Sequence, residues 1–191
     1  ALFDAAGLGR HRPLRPALPV PPKPVAMAAP VEKAPAPQPL PSTEAPIHSS
    51  SFDLSKAEPQ PGLRLSKWHA AEKDGRWSHG DNAEIHLLPP EGRRPAQLQI
   101  ELQARVFGTA ATGPAQVEAR LGTGQAAWLD FPTDEFHRQT LIFDLADLRY
   151  DGGELCLRLR RPDAVSPADA GQGEDERRLG LLVRTLTVVW H

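Results

Sequence analysis

Leu98-Gln99-Ile100-Glu101-Leu102-Gln103-Ala104-Arg105-Val106 decides the fold. Apolar and polar residues alternate through it without a break. That period of two places one set of side chains on a buried face and the other in water, as in a half-buried antiparallel strand. A helix of this length would spread both kinds around its surface.

Working outward, the same alternation recurs on both sides. Before it lie Leu63-Arg64-Leu65 and Ala83-Glu84-Ile85-His86-Leu87. After it come Val117–Leu121, Leu141–Leu145, Leu155–Arg160 and Leu181–Trp190. Turn-forming residues separate these runs: Pro89-Pro90-Glu91-Gly92, Gly108–Pro114, Gly122-Thr123-Gly124, Pro132-Thr133-Asp134 and Asp151-Gly152-Gly153. Short strands at regular spacing, with no long helical period, predict an all-β fold. The expected form is an antiparallel β-sandwich or jelly roll of about eight strands. The polar insert Pro162–Glu176 reads as a functional or edge-covering loop.

The N-terminal third has a different composition. Fourteen of the 21 prolines lie between Ala1 and Pro61, with Phe3 and Phe52 the only aromatics. Proline fixes φ and removes a backbone donor, so runs such as Pro19-Val20-Pro21-Pro22-Lys23-Pro24 cannot enter a helix or a central strand. Polyproline II is the favoured state, at about 3.1 Å per residue, and some 30 residues would reach on the order of 90 Å. So few large apolar side chains cannot offset the entropy of ordering the backbone. The expected organisation is therefore an extended proline-rich arm over residues 1–61 and one β domain over residues 62–191. The arm is either a passive spacer or a peptide that docks in a partner protein's groove.

Charge and cysteine content exclude several classes. The net charge is −2, and nucleic-acid binders carry a basic face. Cys156 is the only cysteine, so no intramolecular disulfide or multi-thiolate metal site is available. Inside Leu155-Cys156-Leu157 it is expected to pack as a small hydrophobe. No apolar run is long enough for a transmembrane helix. The start, Ala1-Leu2-Phe3-Asp4-Ala5-Ala6-Gly7, lacks an initiator Met and reads as a chain already cut, by processing or by loss of an N-terminal anchor.

Two strings carry a resemblance. Trp68-His69-Ala70-Ala71-Glu72-Lys73-Asp74-Gly75-Arg76-Trp77-Ser78-His79-Gly80 is similar to the W-x3-E-x2-G-x-WS-x-G opening of a small β-sandwich domain. That domain is appended to bacterial glycosyltransferases and phosphoglycerol-transferase-like envelope proteins. Pro162 through Pro167, Gly171 and Asp175-Glu176-Arg177-Arg178-Leu179-Gly180 resemble its close. The resemblance implies a non-catalytic, glycan-associated module of the periplasm or cell envelope. Its partners would be envelope polysaccharide or the machinery that makes, modifies or exports it. The alternative is a structural subunit of a multi-protein envelope assembly, docked through its arm.

Candidate ligand-binding residues follow. Trp68, Trp77 and Trp128 could cover the apolar C–H faces of sugar rings, or they could be packing residues. The string Gln125-Ala126-Ala127-Trp128-Leu129 does not fix the face of Trp128. Glu72, Arg76, Asp175 and Arg177 could form one surface that hydrogen-bonds sugar hydroxyls. They could equally form an internal Arg–carboxylate lock between the two strings, and this reading is favoured because such motifs hold the ends of a fold together. His79, Asp81, His86 and His137 lack diagnostic metal-ligand spacing, so neither metal nor other cofactor is expected. A loop Ca²⁺ through Asp81 and Asn82 is the one alternative. The chain has no G-x-S-x-G, P-loop or H-E-x-x-H motif, and no catalytic residue is assigned.

Overall fold

The computed structural model describes residues 40–41, 45–109, 113–124, 126–146, 148 and 153–191. The arm assigned to residues 1–61, with its expected docking of a partner, lies outside the described residues as far as residue 39 and again at 42–44.

Eleven strands occur among the described residues: β1 (His48–Asp53), β2 (Leu63–Ser66), β3 (Trp68–Glu72), β4 (Gly75–His79), β5 (Ala83–Leu87), β6 (Gln97–Val106), β7 (Ala115–Leu121), β8 (Ala126–Phe131), β9 (His137–Asp144), β10 (Leu155–Arg160) and β11 (Leu179–Trp190). All their pairings are antiparallel. One sheet runs β3-β4-β11-β6-β9, with β1 also paired to β11; the other runs β2-β5-β10-β7-β8. From β5 onward the chain crosses repeatedly between sheets. The fold is an antiparallel β-sandwich.

The alternating strands build the core as their sequence dictates. In β6, Leu98, Ile100, Leu102, Ala104 and Val106 are buried and the intervening polar residues are not. Leu155, Leu157 and Leu159 of β10 face them, with Val117, Ala119 and Leu121 of β7. Each fully buried Leu or Ile contributes on the order of 1.5–3 kcal/mol of transfer free energy.

Four strands went unread in the sequence. β1 precedes Gly62, in the stretch assigned to the arm, yet it pairs with β11 along its whole length, from His48 opposite Trp190 to Asp53 opposite Thr185. Phe52 is its one large buried side chain, so its Ser-rich string reads as linker. β3 and β4 form a hairpin out of the first motif string, with a register shift between Trp68 and Ala71 that breaks the period of two. β8 buries Ala127, Leu129 and Phe131 and turns Trp128 outward.

Glycine spacing in the motif strings has a steric cause. Gly75 sits at φ 136°, and a Cβ there would strike the Val183 carbonyl of β11. A Cβ on Gly180 would strike Ser78 Oγ and the Gly80 carbonyl. β4 and β11 can approach this closely only with glycine at both places.

The Pro162–Glu176 insert is pinned against that edge. Val165 bridges Leu179, and Arg178 donates from Nε to the Ala164 carbonyl (3.1 Å). Arg161 is buried, donating from Nη1 to the Phe107 carbonyl (2.8 Å).

Candidate functional site

The residues singled out in sequence do not form one site. Glu72, Asp175 and Arg177 do meet. Arg177 donates to Glu72 Oε1 (2.9 Å) and forks onto both oxygens of Asp175 (2.7–3.0 Å). The Arg177 guanidinium holds the Asp175 carboxyl down to about 2, and the two carboxylates raise the Arg177 pKa in turn. Their donors and acceptors are thus spent on one another, tying the end of β3 to the residues entering β11. This is the internal lock. Arg76 takes no part in it; its Nη2 donates to the Lys56 carbonyl (3.0 Å).

Trp77 is not a platform. It is 5% exposed, in a small cluster with Leu179 and Leu182 on the outer side of the six-stranded sheet. The Arg105 guanidinium lies 5.7 Å from the Trp77 ring centre and 5.3 Å from that of Phe136. Arg184 lies 3.9 Å from the Phe136 ring on its own account. The ring is therefore sealed by protein groups. Trp68 packs against the main core, and its indole N–H donates to the Glu84 carbonyl (3.0 Å), joining one sheet to the other. Trp128 differs from both: its ring is 37% exposed on the edge strand of the five-stranded sheet.

The outer face of that sheet holds the chemistry. β10 lies between β5 and β7, so Arg158 sits opposite Glu84 on one side and Arg120 on the other. One step along, Arg160 sits opposite Glu118, and Glu118 sits opposite Trp128. Glu118, Arg120, Arg158 and Arg160, with Asp81 and Asn82 from the turn before β5, line a groove of about 420 Å³. Directly opposed residues place their Cβ atoms about 4.5–5.5 Å apart. The exposed indole therefore stands beside the groove. Glu118 accepts from Arg120 Nη2 (2.8 Å), and Arg160 Nη1 approaches its other oxygen at 4.0 Å. Gln116 donates to Asp130 beside Trp128 (2.8 Å).

Farther across the face, burial alone would raise the Glu84 pKa. Lys67, His86 and Arg158 outweigh it and hold the carboxyl below its ordinary value. Glu84, His86 and Cys156 bring a carboxylate, an imidazole and a thiol within 4.8 Å of one another. Burial raises the Cys156 thiol pKa, and Arg64 donates to both His86 Nδ1 (3.0 Å) and Glu154. The imidazole of this trio is thus already engaged at Nδ1 by the Arg64 guanidinium. His79 stacks on His69 at 4.0 Å, and His137 bonds Thr133 at 3.0 Å, each apart from this trio. Asp81 and Asn82, the loop oxygens considered for Ca²⁺, share their groove with three guanidinium groups.

A family model matches residues 41–190, from ahead of β1 to the last residue of β11. The chain belongs to the family described as Domain of unknown function (DUF7024). The DUF7024 match takes in both sheets and the outer face just described. No curated protein matches the chain. Among solved structures, it is similar to the CBM35 from Cellvibrio japonicus Abf62, at 13% identity, 74% of this chain, 93% of that one and a TM-score of 0.42. A carbohydrate-binding module CBM36 in complex with calcium and xylotriose aligns at 13% identity, 72% and 97% coverage and a TM-score of 0.40. The Podospora anserina GH26-CBM35 β-(1,4)-mannanase aligns at 9% identity over 75% of this chain, with a TM-score of 0.39. The chain spans 28% of that enzyme's length.

One signal for the groove was present in the sequence. Arg158, Arg160, Glu118 and Arg120 all occupy polar positions of alternating runs. What the sequence lacks is the pairing of β7 with β10 that makes them neighbours.

Proposed function

We propose that this chain is a non-catalytic glycan-binding module, accessory to polysaccharide synthesis, modification or export in the bacterial cell envelope. The observation that carries this reading is the row Arg160–Glu118–Trp128 on one sheet face, beside the groove. A sugar ring offers apolar C–H faces together with hydroxyls. An exposed indole covers the first, and planar fork donors with a paired carboxylate suit the second. Strands carry all of these groups, so little ordering is required on binding.

The same row supports a role without catalysis. Glycoside hydrolysis needs one carboxyl as a proton donor and a second as base or nucleophile. The row supplies a single carboxylate, Glu118, and Arg120 already holds it.

Affinity electrophoresis of the full chain against an array of polysaccharides tests the reading. The array should include cellulose, mannans, periplasmic glucans and acidic polymers. Retardation by at least one polymer, lost in Trp128→Ala, is the expected result. A folded sample that no polymer retards would overturn the proposal.

A further inference from the structure

The glycan reading leaves one feature of the face unexplained. Arg158 and Arg120 sit directly opposite each other on neighbouring strands. Like charges so placed destabilise a sheet. Arg120 is occupied, donating to Glu118 and to the Gly124 carbonyl (3.3 Å). Arg158 is not: among the described residues its one ion pair is with Glu84, 3.7 Å from Nε and beyond hydrogen-bond reach. Arg160 is similar, with Glu118 at 4.0 Å its one ion pair among the described residues. Both side chains are more than half exposed. The groove lining carries three arginines against Asp81 and Glu118, an excess of one positive charge in a chain whose net charge is −2.

Glu118 shows what this geometry accepts. It is a carboxylate lodged between Arg120 and Arg160 on the sheet face. On the other side of Arg120 stands Arg158, whose nearest carboxylate, Glu84, stays 3.7 Å from its Nε, beyond hydrogen-bond reach. Resting on the glycan reading above, we infer that the groove takes an acidic polysaccharide. A uronate carboxylate would sit against Arg158 while an adjoining ring lies on Trp128. A guanidinium fork matches a carboxylate in two parallel bonds, and the anion would relieve the Arg158–Arg120 repulsion. A continuous phosphodiester backbone fits less well. Asp81, Glu84, Glu118 and Asp130 are interspersed among the arginines, so this face lacks the continuous basic stripe of a nucleic-acid binder.

The test uses the full chain, wild type and Arg158→Gln, with Trp128→Ala as reference. Polygalacturonate and alginate provide carboxylate, dextran sulfate provides sulfate, a neutral glucan and a mannan provide hydroxyls alone, and single-stranded DNA provides phosphodiester. The expected result is binding of a uronate polymer about tenfold tighter than of either neutral polymer, with most of that margin lost in Arg158→Gln. It should also weaken as NaCl rises from about 50 to 500 mM. Arg158→Gln removes a like-charge contact, so its thermal midpoint should not fall, which separates lost binding from lost folding. Neutral polymers bound as tightly as uronates, with dependence on Trp128, would overturn this inference and leave the glycan reading intact. Binding of dextran sulfate or DNA without a uronate polymer would also overturn it. Binding of no polymer would overturn both.

Discussion

The two outer faces of the sandwich are built by the same alternation and carry different chemistry. On the six-stranded sheet, one row runs Ser51, Thr187, Glu101, Thr140 across β1, β11, β6 and β9. Its groups find partners close by: Ser51 Oγ lies 3.2 Å from Thr187 Oγ1, and Gln99 donates to Glu101 (2.9 Å). On the five-stranded sheet the corresponding rows are Glu84–Arg158–Arg120 and Arg160–Glu118–Trp128, with two like charges directly opposed and a large ring left in water. Either pattern suffices to keep polar side chains outside. Among the described residues the second carries guanidinium groups beyond hydrogen-bond reach of their carboxylates beside an exposed indole, which is why the proposed glycan site is placed there.

The comparison can be broken most severely from below, through the core that both faces share. Leu102 of β6 is fully buried, and Leu102→Ala should cost about 2–5 kcal/mol of stability by denaturant unfolding. Both faces would be lost together. Next comes the contrast between the faces themselves. Trp128→Ala should weaken glycan binding about tenfold while changing stability by under ~1 kcal/mol. Thr187→Ala, on the opposite face, should leave binding unchanged and stability within about 0.5 kcal/mol. Titration calorimetry with thermal unfolding of the two variants checks both halves. Equal loss from both would mean that the faces do not differ in function.

The smallest expected effect lies at the lock between the sheet edge and the 162–178 loop. Asp175 is held at about 2 in the fold, below its ordinary 3.8. A depressed carboxyl contributes stability above its unfolded value and loses it as pH falls toward the folded one. Protection factors for amide exchange over residues 162–178, corrected for the intrinsic pH dependence of exchange, should therefore hold down to about pH 4 and fall between pH 4 and 2.

What could be read in the sequence follows from how each strand meets water. β6, β7 and β10 have one dry and one wet face, and their alternation was plain. β1 was hidden because Phe52 is its only large buried side chain, and β3–β4 because a bulge at Trp68–Ala71 disrupts the period. The Glu72–Arg177 lock was legible because the two strings that contain it frame the domain. The groove was not, since Arg120 and Arg158 lie in separate strands and become neighbours only through the register of β7 on β10. Exposure of Trp128 likewise needed β8 to be placed at the sheet edge.

The pairing of β1 with β11 has a mechanical consequence. Ile47 N–H donates to the Trp190 carbonyl (2.7 Å), and the strands run antiparallel from there. Residues 47 and 191 therefore lie at the same end of the ladder, where His191 is still bonded to Gln97. Tension applied between them loads the β1–β11 bonds one at a time, peeling from His48 toward Asp53, rather than shearing the whole ladder at once. Under load β1 would act as a fuse: it would open at low force and release residues 48–53, while β11 stayed anchored to β6 along its other edge.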